Sequence, residues 1–135
     1  MQKRIALIFP LLLAACVTGG PPGERIRAVE SSIPGVPIPG GSVEEGRYDG
    51  GGGVVMAFCA CPGLGTGELL RFFEVRMPEW GWTPVAAAAP QPRQLSFERD
   101  GVPVLVGVEA EGGRFSIIRG ARGDWGFMPQ LREPQ

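Results

Sequence analysis

The stretch QLSFERDGVPVLVGVEAEGGRFSIIR, residues 94–119, decides how the rest of the chain is read. In Gln94–Arg99 apolar and polar residues alternate, which places Leu95 and Phe97 on one side. Alternation of period two marks a strand with one buried face. Asp100-Gly101 follows, a pair suited to the two positive φ angles of the tightest hairpin turn. Val102–Glu109 then puts Val102, Val104, Val106 and Val108 on a common face. Glu111-Gly112-Gly113 turns the chain again, and Arg114–Arg119 returns through Phe115 and Ile117. Antiparallel strands sharing one apolar face need a second layer to cover it.

The covering element lies upstream. In Thr66–Met77 the residues Leu69, Leu70, Phe72, Phe73 and Met77 recur at helical spacing, while Arg71, Glu74 and Arg76 fall on the other side. Thr66 is expected as the N-cap, with Glu68 favourably placed in the first turn, and Pro78 and Gly81 end the helix. Trp80 and Trp82 follow. They either seal the helix end against the sheet or form an aromatic binding surface.

Val54–Ala60, VVMAFCA, is apolar on both faces and reads as an interior strand that stops at Cys61-Pro62-Gly63. Ser42–Tyr48 is expected as a short edge strand, Asp49–Gly53 as a loose turn and Thr83–Ala88 as a weak strand. The expected fold is α+β. It has one amphipathic helix packed on a mostly antiparallel sheet of about four to six strands, in a β-α-β-β-β-like order.

Residues 34–42, PGVPIPGGS, exclude helix and lead into the domain as extended chain. The expected domain is therefore 34–120. Before it, residues 16–33 are polar and broken by Gly and Pro; they read as a flexible tether, with room for one helical turn in Glu24–Ser32. After it, residues 121–135 show no period and read as a mobile tail, although Trp125 and Phe127 are able to dock.

The first sixteen residues, MQKRIALIFPLLLAAC, carry Lys3 and Arg4 ahead of an apolar run. That run is shorter than the roughly 20 apolar residues that span a bilayer, and has the proportions of a secretory signal. Leu13-Ala14-Ala15-Cys16 resembles the lipobox of bacterial lipoproteins. The resemblance implies a signal peptide over 1–15, a diacylglycerol thioether on Cys16 and acylation of the new amino terminus. Two or three acyl chains anchor a protein stably where one does not. Val17, rather than an aspartate, follows the cysteine, which favours the outer membrane, facing the periplasm, in a Gram-negative host.

A second resemblance covers 34–120. PIPGGS, an apolar strand, LLRFFEVRMPEWGW and LSFERDG, in that order, are similar to an uncharacterised group of small exported bacterial domains. The landmarks are Phe72-Phe73, Met77-Pro78, Gly81-Trp82, Leu95 and Phe97. That group usually carries tyrosine where this chain has Phe73. The resemblance implies export and a fold, and transfers no active site.

Composition removes several functions. The formal charge is −1, and loss of Lys3 and Arg4 with the leader makes it −3, which is no footprint for nucleic acid. There is no histidine, hence neither the commonest general base nor the commonest metal ligand. Gly63-Leu64-Gly65-Thr66-Gly67 lies between strand and helix but lacks the lysine and spacing of a phosphate loop. Arg122-Gly123-Asp124 is read as a chance adhesion-like tripeptide, and Glu44-Glu45 and Glu109/Glu111 as solvated surface. No serine sits in a nucleophile elbow, and catalysis is not expected.

Cys59 and Cys61 remain. Two residues apart in a strand, they share a face with Cα atoms about 6.6 Å apart, at the edge of disulfide range. Three readings stand open: two buried thiols, a disulfide in an oxidising compartment, or a soft-metal site for Cu(I) drawing on Met56 or Met77. Met56 falls on the opposite strand face, against its use. The expectation is thus a lipid-anchored envelope protein without a cofactor. It binds or supports another envelope protein or peptidoglycan, and a copper or redox protein using Cys59 and Cys61 is the alternative.

Overall fold

A computed structural model describes residues 26–86 and 91–120. The expected signal peptide (1–15), Cys16 and the expected tail (121–135) lie outside the described residues. Two antiparallel sheets and one helix make up the fold. Strands β1 (Ala28–Glu30) and β2 (Pro37–Pro39) form a two-stranded sheet. Strands β3 (Val43–Gly51) and β4 (Val54–Ala60) are followed by the helix α1 (Thr66–Glu79), then β5 (Thr83–Pro84), β6 (Gln94–Arg99), β7 (Val102–Val108) and β8 (Arg114–Arg119). These six strands pair in the order β3-β4-β8-β7-β6-β5. The class is α+β as the alternation and the helical stripe require. The single sheet expected is instead two, because a small β1–β2 ribbon precedes the large sheet.

The turns explain the pairings. Asp100 and Gly101 both have positive φ, 51° and 78°, which sets Arg99 opposite Val102 and fixes the β6–β7 register. Gly112 and Gly113, at φ 88° and 69°, bring β8 back along β7. β8 then continues into pairing with β4, with Ala57 opposite Ile117 and Cys59 opposite Phe115. β4 is flanked on both sides, by β3 and β8, in keeping with its apolar residues on both faces.

Helix α1 lies across the sheet and buries Leu69, Phe72, Phe73 and Met77. They meet Ala57, Cys59, Val104, Val106, Val108, Phe115 and Ile117. Phe73 touches Phe72 and Phe115 edge to face, with ring centroids 5.1 and 5.3 Å apart. Each of these large side chains contributes about 2 kcal/mol by leaving water. The opposite sheet face is also apolar: Val54, Met56, Leu105 and Ile118 cluster there, with Phe58 packed against them.

Four expectations are corrected. The fold begins before residue 34: β1 pairs with β2, Ser31 donates its backbone N–H to the Val36 carbonyl at 2.9 Å, and Ile33 is fully buried. Residues 28–33 are therefore part of the folded unit rather than tether, and a strand stands where a helical turn was allowed. The N-cap is Gly65, not Thr66. Glu68 reaches back to the Gly65 N–H at 2.9 Å, while the Thr66 hydroxyl is drawn to the Glu109 and Ala110 carbonyls at 2.9 and 2.8 Å. β3 runs on to Gly51, beyond the expected edge strand, with register shifts between Glu44 and Gly46 and between Asp49 and Gly51. β5 ends at Pro84, although Val85 still donates to the Ser96 carbonyl at 2.9 Å.

Candidate functional site

The cysteine pair sits where β4 ends. Cys59 is on the strand, 2% exposed, and packs into the helix-side core. Cys61 follows the strand and is locked by backbone: its N–H donates to the Gly113 carbonyl at 2.8 Å, and its carbonyl accepts from Leu64 at 3.2 Å. Its thiol points at the Gly40 carbonyl, 3.9 Å away. Both thiols are free. Burial, reinforced by the nearby Glu44 and Glu45 carboxylates, pushes the Cys59 thiol up to about 12 from 9.0. A neutral, buried thiol is a poor nucleophile and a poor metal ligand, since both roles belong to the thiolate. Met77 shares the core with Cys59, whereas Met56 lies in the cluster on the other face. Among the described residues, no three Cys, Asp or Glu side chains gather to hold a metal ion.

The tryptophans have unequal surroundings. Trp82 is 3% exposed. Its backbone N–H donates to the Met77 carbonyl at 3.1 Å, which ends the helix, and its indole N–H donates to the Gly35 carbonyl at 2.8 Å. The Arg99 guanidinium lies over the indole at 4.6 Å and donates to the Trp80 carbonyl at 2.8 Å. Three segments distant in sequence meet here: the 33–36 turn, the helix exit and the end of β6. Of the two readings, Trp82 seals the helix end and presents no binding face. Trp80 is half-buried against the same core.

The feature that sequence reasoning underweighted is β3. It is nine residues long and exposed along nearly its whole length, with Val43 and Tyr48 among the most exposed large apolar side chains described. One side pairs with β4; no described strand pairs with the other. The opposite edge, β5, has only two residues, one of them Pro84. A long open edge offers a row of backbone donors and acceptors, in contrast to a short edge with proline. The residues around β3 are charged. Arg114 bridges to Glu45 at 3.1 Å, Arg47 lies 3.7 Å from Asp49, and Ser32 donates to Glu44. The signal for this edge was in the sequence as an exposed run, VEEGRYDGG, beside a strand buried on both faces.

Among the described residues no helix is long and apolar enough to cross a membrane. Comparison with family models, with curated proteins and with solved structures finds no significant match.

Proposed function

We propose that this chain is a lipid-anchored module of the bacterial cell envelope that works by binding rather than catalysis. Cys16 is its attachment point, and β3 is the strand it offers to an envelope partner. The observation that carries the binding half is the open edge of β3, nine residues whose outer side no described strand occupies. An extended partner segment adds to such an edge through main-chain hydrogen bonds, and side chains at alternate positions confer selectivity. Val43 and Tyr48 supply the apolar contacts. The raised affinity of Cys59 for its proton weighs against the copper or redox reading. The anchoring half rests on the lipobox resemblance of Leu13-Ala14-Ala15-Cys16.

The test is photo-crosslinking in intact bacterial cells with a benzophenone amino acid at Tyr48 and, as control, at the exposed Glu74 on α1. A discrete adduct at Tyr48 that is absent at Glu74, and lost in the Cys16→Ala protein, supports both halves. Equal labelling from the two positions refutes the edge reading. Acyl-free mature protein by mass spectrometry refutes the anchor.

A further inference from the structure

Strand β3 offers two chemically different faces along one edge. Its pairing with β4 keeps an unbroken register over Gly46–Asp49, opposite Phe58, Ala57, Met56 and Val55. The register shifts on both sides of that window, between Glu44 and Gly46 and between Asp49 and Gly51. A bulge bends the strand and interrupts its ladder, so an added strand finds its regular template in these four residues. Directly opposed residues of neighbouring strands share a face of the sheet. Glu44, Arg47 and Asp49 stand opposite Cys59, Ala57 and Val55, on the side of the helix. Gly46 and Tyr48 stand opposite Phe58 and Met56, on the other side.

On the helix side carboxylates outnumber cations. The Asp49 side chain is 67% exposed and lies 3.7 Å from Arg47. Arg47, the one cation of β3, also donates to the Ser32 carbonyl at 3.2 Å. Glu44 accepts from the Ser32 hydroxyl, a neutral donor, whereas Glu45 at the bulge has Arg114 beside it at 3.1 Å. A cationic side chain arriving opposite Asp49 therefore meets net negative charge. On the other side glycines leave aromatic rings next to bare backbone. A Cβ at Gly46 would lie 3.7 Å from Phe58 Cδ2, and one at Gly50 would lie 2.8 Å from Tyr48 Cε2. Phe58 is half-buried, and Tyr48 is 53% exposed. An apolar side chain on an adjacent strand fills the space beside an edge glycine, and aromatic rings pair favourably across strands with β-branched residues.

We propose that the occupant of β3 is an extended polypeptide segment in which a lysine or arginine opposite Asp49 alternates with β-branched or aromatic residues opposite Tyr48 and Gly46. This rests on β3 being the docking edge and adds the side-chain pattern of the partner. The main-chain ladder holds the segment, and the two faces read it, carboxylate against cation and ring against apolar side chain. An acidic segment places like charge opposite Asp49, which is destabilising.

The test is fluorescence anisotropy with the full chain in a non-ionic detergent and a labelled peptide containing Lys-Val-Thr-Val-Lys, which presents the same pattern in either strand direction. Replacing both lysines with glutamate is expected to weaken binding about threefold to tenfold. That gap is expected to shrink in Asp49→Asn and in about 0.5 M salt. Tyr48→Ser is expected to weaken both peptides alike. N-methylation of alternate peptide residues removes ladder donors, so it is expected to abolish binding in one of its two phases and spare it in the other. Equal or tighter binding of the glutamate peptide overturns the pattern, as does indifference to N-methylation in both phases. Should Asp49→Asn fail to fold, the salt series on the unaltered chain decides, and a gap that salt leaves unchanged counts against the pattern. If no peptide binds, the pattern falls; a discrete Tyr48 crosslink in cells then keeps the edge itself, and loss of that crosslink refutes the edge as well.

Discussion

Replacing Trp82 with phenylalanine tests whether the helix exit, the 33–36 turn and β6 are held together by this one side chain. The indole N–H donates to the Gly35 carbonyl at 2.8 Å in a site 3% exposed. Removing the donor leaves that carbonyl without its partner, at a cost of about 1–2 kcal/mol. The Arg99 guanidinium stacks 4.6 Å from the ring, and a phenyl attracts it less than an indole does, costing about 0.5 kcal/mol. The smaller ring also gives up apolar contact area worth about 1 kcal/mol. Trp82→Phe should therefore lose about 3 kcal/mol in all, a large share of the 5–15 kcal/mol typical of a small domain. Urea unfolding followed by circular dichroism measures it. A melting point lower by more than about 10 °C is expected alongside. Arg99→Met retains the aliphatic stem but removes the cation, so a double-mutant cycle isolates the stacking and should return a coupling of about 0.5–1 kcal/mol. A loss below about 0.5 kcal/mol for Trp82→Phe, with no coupling to Arg99, would refute the anchoring role.

Cys59 makes stability depend on alkaline pH. The native thiol gives up its proton near 12 and the unfolded one near 9.0, so the stabilisation is complete below pH 9 and declines as pH rises toward 12. Between pH 9 and 10 the loss should be about 1 kcal/mol, and Cys59→Ala should abolish it. At pH 8 the native Cys59 thiolate is about a thousandfold scarcer than that of an ordinary thiol, so a disulfide reagent should modify it correspondingly slowly until urea is added. Gly113→Ala should cost about 2–3 kcal/mol in urea unfolding, because φ is +69° and the new Cβ would fall 2.6 Å from the Cys61 carbonyl oxygen. Gly67→Ala, in open space on the first turn of α1, should be neutral or stabilising by up to about 1 kcal/mol. Phe73→Ala should cost about 3–5 kcal/mol, since it empties the centre of the helix–sheet contact.

What sequence made legible is what local chemistry controls. Asp100-Gly101 announced its hairpin because few residue pairs accept two positive φ angles, and VVMAFCA announced an interior strand because neither face held a polar residue. The stripe from Leu69 to Met77 likewise defined which side of α1 is buried. What escaped depended on partners far along the chain. Ala28–Glu30 carries no strand pattern of its own and becomes one only against Pro37–Pro39. Thr66 has the chemistry of an N-cap, yet carbonyls more than forty residues away take its hydroxyl. Trp80 and Trp82 are alike in local sequence, and the Gly35 carbonyl at the indole N–H and the Arg99 guanidinium over the ring set Trp82 apart. Leu105 and Ile118, off the alternating stripe of β7 and β8, join Val54 and Met56 in a second apolar face.

The strand best placed to recruit a partner is also built to refuse a copy of itself. β3 carries Glu44, Glu45 and Asp49 against a single cation, Arg47. In an antiparallel pairing of two such strands the carboxylates would face one another, and like charges directly opposite are destabilising. The two register shifts along β3 bend its edge away from the flat geometry that self-association favours. A strand with cationic side chains at the positions facing Glu44 and Asp49 meets neither obstacle to the same degree. It gains the main-chain hydrogen bonds together with the apolar surface of Val43 and Tyr48. On the proposed lipid anchor, that discrimination would keep the edge free for a different protein. The chemistry of β3 therefore favours a heterologous, basic strand as the partner.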